Sequence, residues 1–339
     1  MPRWFRRSPL PTMLIVMAVV AAAGAIGITS ATDSVVADVD RIDGLEGLLL
    51  GGTDADGNPL PEGVDLPTQN YLLVGSDTRE GIAADDPDFG VIGDTSIVGG
   101  RRADTIMVLR READGGAALV SLPRDLWVEI PGRGSNRINA AYNNGPEQLI
   151  ATVTQTLGIP IHHYVEVNFV GFRDVVNTLG GVTMCFAHPT RDPKTGLDQP
   201  AGCNVLDGLQ ALAYARSRSY QEFREGDWRT DPTADIGRTQ RQQLFMRAAA
   251  DAALTRLTDQ PFASGDLVAA VAASVSVDAV LDPFATASAL REAYSAGLTT
   301  YSLPVYGDNV GGASVLRLGE GSGAILDYFR GLAPAPAVG

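Results

Sequence analysis

At 339 residues with 45% hydrophobic side chains, the chain can hold one large domain with a tail, or two smaller ones. Its formal charge of −14 argues against a nucleic-acid binder, because affinity for a phosphate backbone needs a net basic face. A small phosphorylated ligand needs only local positive charge. Lys194 is the sole lysine, so the cations are arginines, which suit bidentate phosphate recognition; a codon bias towards arginine would give the same composition.

Arg3, Arg6 and Arg7 precede an uncharged stretch from position 10 to 28. As a helix it would span roughly 28 Å, close to a hydrocarbon thickness of about 30 Å. A secretory signal has a shorter apolar run, and Thr29-Ser30-Ala31 is a poor cleavage site. The reading is therefore an uncleaved anchor over 10–29 rather than a cleaved signal. Residues 1–9 then lie in the cytoplasm and everything beyond about residue 30 lies outside.

Val36, Val39, Ile42, Leu45 and Leu48 recur every three residues, a spacing that predicts a short amphipathic helix. Residues 51–67 are rich in Gly, Pro and Asp, so 30–67 reads as a stalk carrying that helix. The globular domain is expected over 68–331, and 332–339 as a disordered tail.

Apolar runs at 71–74, 105–109, 117–122, 164–167, 182–186 and 300–305 predict strands. Asn168 suits an N-cap for a helix with Phe169, Phe172, Val175, Val176 and Leu179 on one face, ended by Gly180-Gly181. Gly145-Pro146 opens a helix to about Leu157, a longer helix is expected over 236–257, and another follows Asp282-Pro283. Strands alternating with helices imply a layered α/β domain. Cys185 and Cys203 flank a loop rich in Pro, Gly and Asp. Outside the cytoplasm a disulfide is the preferred reading over two free thiols, contributing about 3 kcal/mol. The two cysteines and His162, His163 and His188 lack zinc-site spacing.

Five segments place acids or arginines at the ends of these elements: Gly75–Arg79, Arg102-Ala103-Asp104, Pro123-Arg124-Asp125, Arg216-Ser217-Arg218 and the run from Asp235 to Gln243. Arg238 and Gln242, four apart, share a face in the first turns of a helix, where free amides and the dipole favour an anion. Arg241 and Gln243 point elsewhere. Several arginines with a divalent ion suit a pyrophosphate, and Asp77 and Asp104 could supply the carboxylates that magnesium takes beside phosphate oxygens. Taken one at a time, most of these arginines could equally pair with surface acids.

The wording and order of the segments NYLLVGSDTR, RADTIMVLR, SLPRDLWVEIPG, RINAAYNNGP, HHYVEVNFVGFRDVVNTLGGV, LDGLQALAYARSR and DIGRTQRQQ resemble the LytR-CpsA-Psr family of cell-wall assembly proteins, from about residue 68 to 257. The loop 185–203 and DPFATASALR resemble actinobacterial members. The resemblance implies an α/β/α domain with a central mixed sheet and an apolar polyprenyl-lipid pocket. It also implies transfer of a glycopolymer from a polyprenyl-pyrophosphate carrier onto peptidoglycan, with magnesium, or manganese, assisting. By the same resemblance Asp77 and Asp104 hold the metal, and Arg102, Arg124, Arg216, Arg218, Arg238 and Gln242 contact the pyrophosphate. Arg79 matches a motif arginine and Asp235 an active-site acid. Asp77, Arg102, Arg124 and Asp235 are the expected catalytic positions. Asp77 and Asp125 are both open as the general base.

Residues 219–234 exceed what the motifs need, and Tyr220, Phe223 and Trp228 suggest a lid or an acceptor-contacting loop, with a surface insertion as the plain alternative. A lipid-pyrophosphate hydrolase and a non-catalytic lipid- or wall-binding protein are the alternative functions. The glycan itself is not legible.

Overall fold

The computed structural model describes residues 39–50, 68–76, 103–113, 116–232, 274–282 and 296–337, with 237, 238, 241, 244, 245, 248, 249, 251, 252, 255, 256 and 286. The anchor expected over 10–29 lies outside them. Among the described residues no helix is long and apolar enough to cross a membrane.

In chain order the first strands are β1 (Asp40–Ile42), β2 (Gln69–Ser76), β3 (Ala103–Arg111), β4 (Ala117–Ser121), β5 (Trp127–Ile130) and β6 (Gly134–Arg137). Helix α1 (Pro146–Ala151), β7 (His163–Val167) and helix α2 (Phe169–Thr178) follow. Next come β8 (Val182–Phe186), β9 (Thr190–Asp192), β10 (Leu197–Gln199), β11 (Gly202–Leu206), helix α3 (Gly208–Arg216), β12 (Gln221–Arg224) and β13 (Asp227–Thr230). The described residues from 237 to 256 are helical. Strands β14 (Val275–Asp278), β15 (Leu298–Ser302), β16 (Val305–Val310) and β17 (Ala313–Leu318) lead to helix α4 (Ser322–Phe329).

Seven strands build a mixed central sheet in the order β1-β14-β7-β2-β3-β4-β15. Side chains alternate across it, because successive residues of a strand face opposite ways. Tyr71, Leu73, Met107, Leu109, Leu119 and Val165 pack with Phe172, Val176, Leu212 and Phe245, so α2, α3 and the 237–256 helix cover that face. Leu72, Val74, Ile106, Val108, Val120 and Tyr164 pack with Ile138, Tyr142, Leu149, Leu326 and Phe329, which puts α1 and α4 on the other. The expected three layers are present. Helices α2 and α3 meet closely because Gly208 carries no side chain: a Cβ there would lie 2.4 Å from the Arg173 carbonyl oxygen.

Asn168 caps α2 as expected, its side chain accepting from the Gly171 N–H at 2.8 Å. The helix expected from 145 to 157 continues past α1 as a π-helical turn, Thr152–Thr156. The three-residue spacing around Ile42 misleads, however. Asp40–Ile42 is a strand, paired in parallel with β14, and Leu45 and Leu49 are buried in the core. The run expected at 300–305 is interrupted, with β15 ending at Ser302 and β16 starting at Val305. In the expected tail, residues 332–337 have no regular structure, and the Tyr301 hydroxyl donates to the Pro336 carbonyl at 3.3 Å. Cys185 and Cys203 face each other across β8 and β11 and form the expected disulfide.

One half-buried histidine makes the fold sensitive to acid. His162 Nδ1 accepts the Asn70 N–H at 3.0 Å, and burial, with the charges of His163 and Arg110, lowers its pKa from 6.5 to about 4. Between those values the unfolded chain binds the extra proton. This contribution to stability is therefore full above pH 6.5 and is lost as pH falls towards 4, amounting to roughly 3 kcal/mol. Denaturant melts across that window should steepen this loss for the wild type and flatten it in His162→Asn. Equal pH dependence in the two proteins would contradict the assignment.

Candidate functional site

Strand direction gathers the site. β2 runs parallel to β7 and antiparallel to β3, which is antiparallel to β4. The carboxyl ends of β2, β4 and β7 therefore share one edge with the start of β3. Such an edge is where α/β sheets place ligands. Here Gly75 pairs with Thr105 but Ser76 with Ala103, leaving Asp104 as the extra residue of a bulge. Glycine permits this closure, since a Cβ on Gly75 would stand 3.1 Å from the Thr105 Cβ.

Arg124 lies just past the carboxyl end of β4. The Leu122 N–H still bonds Ile106 at 2.9 Å; Pro123 then turns the chain and the Leu126 N–H closes on the Pro123 carbonyl at 2.9 Å. The Asn139 N–H holds the Arg124 carbonyl at 3.1 Å, and the Leu316 N–H holds that of Asp125 at 2.9 Å. The Asp125 carboxylate lies 3.6 Å from Arg124 Nε and 3.5 Å from Arg137 Nε. It acts as the strut of this turn, between two guanidinium groups.

Arg216 is the last residue of α3, where the helix dipole favours a cation. Its guanidinium stands 4.6 Å over the ring of Phe169, the first residue of α2, which begins just past the carboxyl end of β7. Arg216 thus reaches the same sheet edge as Arg124. Ser217 is buried while Arg218 is exposed, as alternation in an extended segment requires.

The segment 217–219 is gripped from two sides. Asp192, fully buried at the end of β9, accepts three hydrogen bonds on one oxygen: Ser217 Oγ at 2.7 Å, the Arg218 N–H at 3.0 Å and the Ser219 N–H at 2.8 Å. Its other oxygen accepts the Lys194 N–H at 2.9 Å. Burial alone would raise this carboxyl, but the donors from Ser217, Lys194 and Ser219 outweigh it and hold the pKa below the usual value. From the opposite side Arg241 donates to the Ser217 carbonyl at 2.8 Å and to Asp231 at 2.7 Å, and stacks 4.4 Å over Tyr220. Arg238, one turn earlier on that helix, is 7% exposed.

Three arginines expected at the site, Arg124, Arg216 and Arg218, are thus tied to one edge of the sheet or to the segment fastened there, and Arg238 lies one helical turn before Arg241, which grips that segment. Asp77, Arg79, Arg102, Asp235 and Gln242 lie outside the described residues, as does the Asp104 side chain. Among the described residues no group of three His, Cys, Asp or Glu could hold a metal. Sequence reasoning missed Asp192. Its bond to Lys194 is a local turn that Asp favours, but its three other donors come from 25 to 27 positions downstream.

Comparison with known proteins shows what the chain resembles. Residues 61–324 match the model of the LytR_cpsA_psr family. The probable cell wall biosynthesis protein LcpB of Corynebacterium glutamicum is 39% identical over 194 residues, covering 57% of this chain and 44% of LcpB. The polyisoprenyl-teichoic acid–peptidoglycan teichoic acid transferase TagU of Oceanobacillus iheyensis is 29% identical over 253 residues, covering 72% of this chain and 69% of that protein. Among solved structures, the LytR-Csp2A-Psr enzyme from Actinomyces oris is similar at a TM-score of 0.61 and 25% identity, over 77% of this chain and 89% of the other.

Replacing Asp192 by alanine would leave the buried Ser217 Oγ and the backbone amides of Lys194, Arg218 and Ser219 without their acceptor, a loss of about 3 kcal/mol or more. Asp192→Asn keeps the shape and should lose less. Because the folded pKa is lowered, the Asp192 contribution is complete above the usual carboxylate range and disappears only as pH falls through the lowered value. Chemical denaturation of the three proteins checks this, and unchanged stability in Asp192→Ala would refute it.

Proposed function

The chain belongs to the LytR-CpsA-Psr family, and we propose that it transfers a glycopolymer from a polyprenyl-pyrophosphate carrier onto peptidoglycan. The observation that carries the proposal is the fastening of Arg124, Arg216 and the Arg218 segment about one sheet edge, with Arg238 one helical turn from the Arg241 that grips that segment, in a protein whose overall charge is −14. Phosphate recognition by such a group is local, and fixed guanidinium groups stabilise charge without reorganising. The name of TagU supports a lipid-linked donor and a peptidoglycan acceptor.

In this reading an acceptor hydroxyl attacks the phosphoryl group that carries the sugar. A P–O bond forms to the acceptor, the bond to the bridging oxygen breaks, polyprenyl phosphate leaves, and the hydroxyl proton passes to a base. Arg124 on its braced turn, with Arg102, would balance charge on the attacked phosphoryl group. Arg216, Arg218, Arg238, Gln242 and Arg79 would hold the remaining pyrophosphate oxygens. Asp235 would stand by as an active-site acid.

A magnesium ion, or manganese, would fit the donor chemistry at Asp77 and Asp104, two hard carboxylates beside phosphate oxygens, with Asp104 in the bulge of β3 and Asp77 following Ser76 in the chain. When bound it would supply Lewis-acid neutralisation of phosphate charge. The carrier chain would lie in an apolar pocket of the domain. The same reading keeps the N-terminus in the cytoplasm, the anchor at 10–29 and the catalytic domain outside the cell membrane.

With labelled lipid-linked glycan and peptidoglycan, the full chain should yield wall-linked glycan and lipid phosphate. Free glycan phosphate, or lipid phosphate without wall product, would instead indicate hydrolysis. Arg124→Ala and Arg238→Ala should each lower turnover by roughly 100-fold or more, and lysine at either position should restore little, because the bidentate fork is lost. Chelation should stop transfer, and magnesium should restore it in the wild type but poorly in Asp77→Asn or Asp104→Asn. Full activity in the chelated enzyme would remove the metal from the proposal.

A further inference from the structure

Residues 221–230 are neither an open loop nor a free flap. β12 and β13 form a hairpin that continues the small sheet β10-β9-β12-β13, and the sheet has two unlike faces. Thr190, Asp192, Leu197 and Gln199 point inward and are buried, and Asp192 holds the arginine segment from this side. The register places Asp198, Arg191, Gln221, Phe223, Trp228 and Thr230 on the opposite, outward face.

That outward row has a particular chemistry. Phe223 and Trp228 are cross-strand partners with ring centroids 5.3 Å apart, and Phe223 is 39% exposed. The Arg191 guanidinium lies 4.0 Å over the Trp228 ring while its Nε donates to Gln221 Oε1 at 2.8 Å. The planar groups are therefore held in place before any ligand arrives. Arg191 and Asp198 offset one another, so the row is close to neutral. Paired aromatic faces edged by an amide, a guanidinium and a hydroxyl suit an uncharged polysaccharide, whose rings offer C–H faces to aromatics and hydroxyls to polar groups. A polyanion such as the donor's pyrophosphate would find no net positive charge there.

We propose that this face is the docking platform for the glycan strand of the acceptor. The proposal rests on the transferase reading and names the acceptor subsite. The platform is continuous with the site: Arg218 precedes β12 by three positions, and Asp192 fastens that segment from the buried side of the same sheet. Pairing of β12 with β9, and the Asp231–Arg241 ion pair at its base, make the hairpin a fixed support and not a lid.

The test uses the full chain in detergent and peptidoglycan sacculi stripped of secondary polymers. The double variant Phe223→Ala/Trp228→Ala should lose sacculus binding by at least about tenfold, with Trp228→Phe retaining most of it. Its affinity for lipid-linked donor, its kcat at saturating acceptor and its melting midpoint should stay near wild type, so that only KM for the acceptor rises. Unchanged sacculus binding in the double variant overturns the proposal, and so does loss of donor and acceptor binding together, which would make the hairpin a mere support for the arginines. Sacculus binding is read without turnover, so failure of the wild type to transfer glycan would sink the transferase reading while leaving the platform separately decided.

Discussion

The site depends on one carboxylate oxygen with three donors. The stretch between α3 and β12 has no secondary structure of its own at residues 217–219, so nothing local keeps Arg218 in place. Asp192 supplies the missing partner, satisfying a buried hydroxyl and two backbone amides at once. A buried donor without an acceptor is expensive, so the segment has one favourable position. Arg241 closes the grip by bonding the Ser217 carbonyl. Arg216 and Arg218 can then face a ligand without losing the conformational entropy of a mobile loop.

That grip matters because of where the sheet carries it. Mixed strand directions bring the ends of β2, β4 and β7 and the start of β3 to one edge, and the Arg216–Phe169 contact ties α3 to it. The braced turn at Arg124 stands on the same edge, with Asp125 and Arg137 fixing it against β17. An acidic protein can therefore present a local cationic surface. Potential at a site follows the charges nearest to it, and net charge governs solubility and long-range encounter.

The small sheet links this machinery to the surface. One face of β9 carries the carboxylate that positions the arginines, while the other carries Arg191, stacked on Trp228. The period of two along a strand is what separates these tasks: a shift of one residue would bury Arg191 and expose Asp192. The disulfide between β8 and β11 brackets the chain that forms β9 and β10, so this two-faced element is covalently closed at its root.

Much of the framework was legible in the order of residues. Alternating apolar runs marked β2, β3, β4, β7 and β8, and Asn168 with Gly180-Gly181 marked both ends of α2, because these signals are local. The candidate arginines were legible as charges at element ends, and the motif order identified the family. β1 was not, because its three residues become a strand only against β14, more than 230 positions away. Nor were β9, β10, β12 and β13, short and polar strands whose pairing is non-local. Local sequence determined which segments would be strand or helix and which side chains could bind an anion. Only the tertiary structure decided what holds those side chains still, because the donors that meet at Asp192 and the cation that meets Ser217 come from separate parts of the chain.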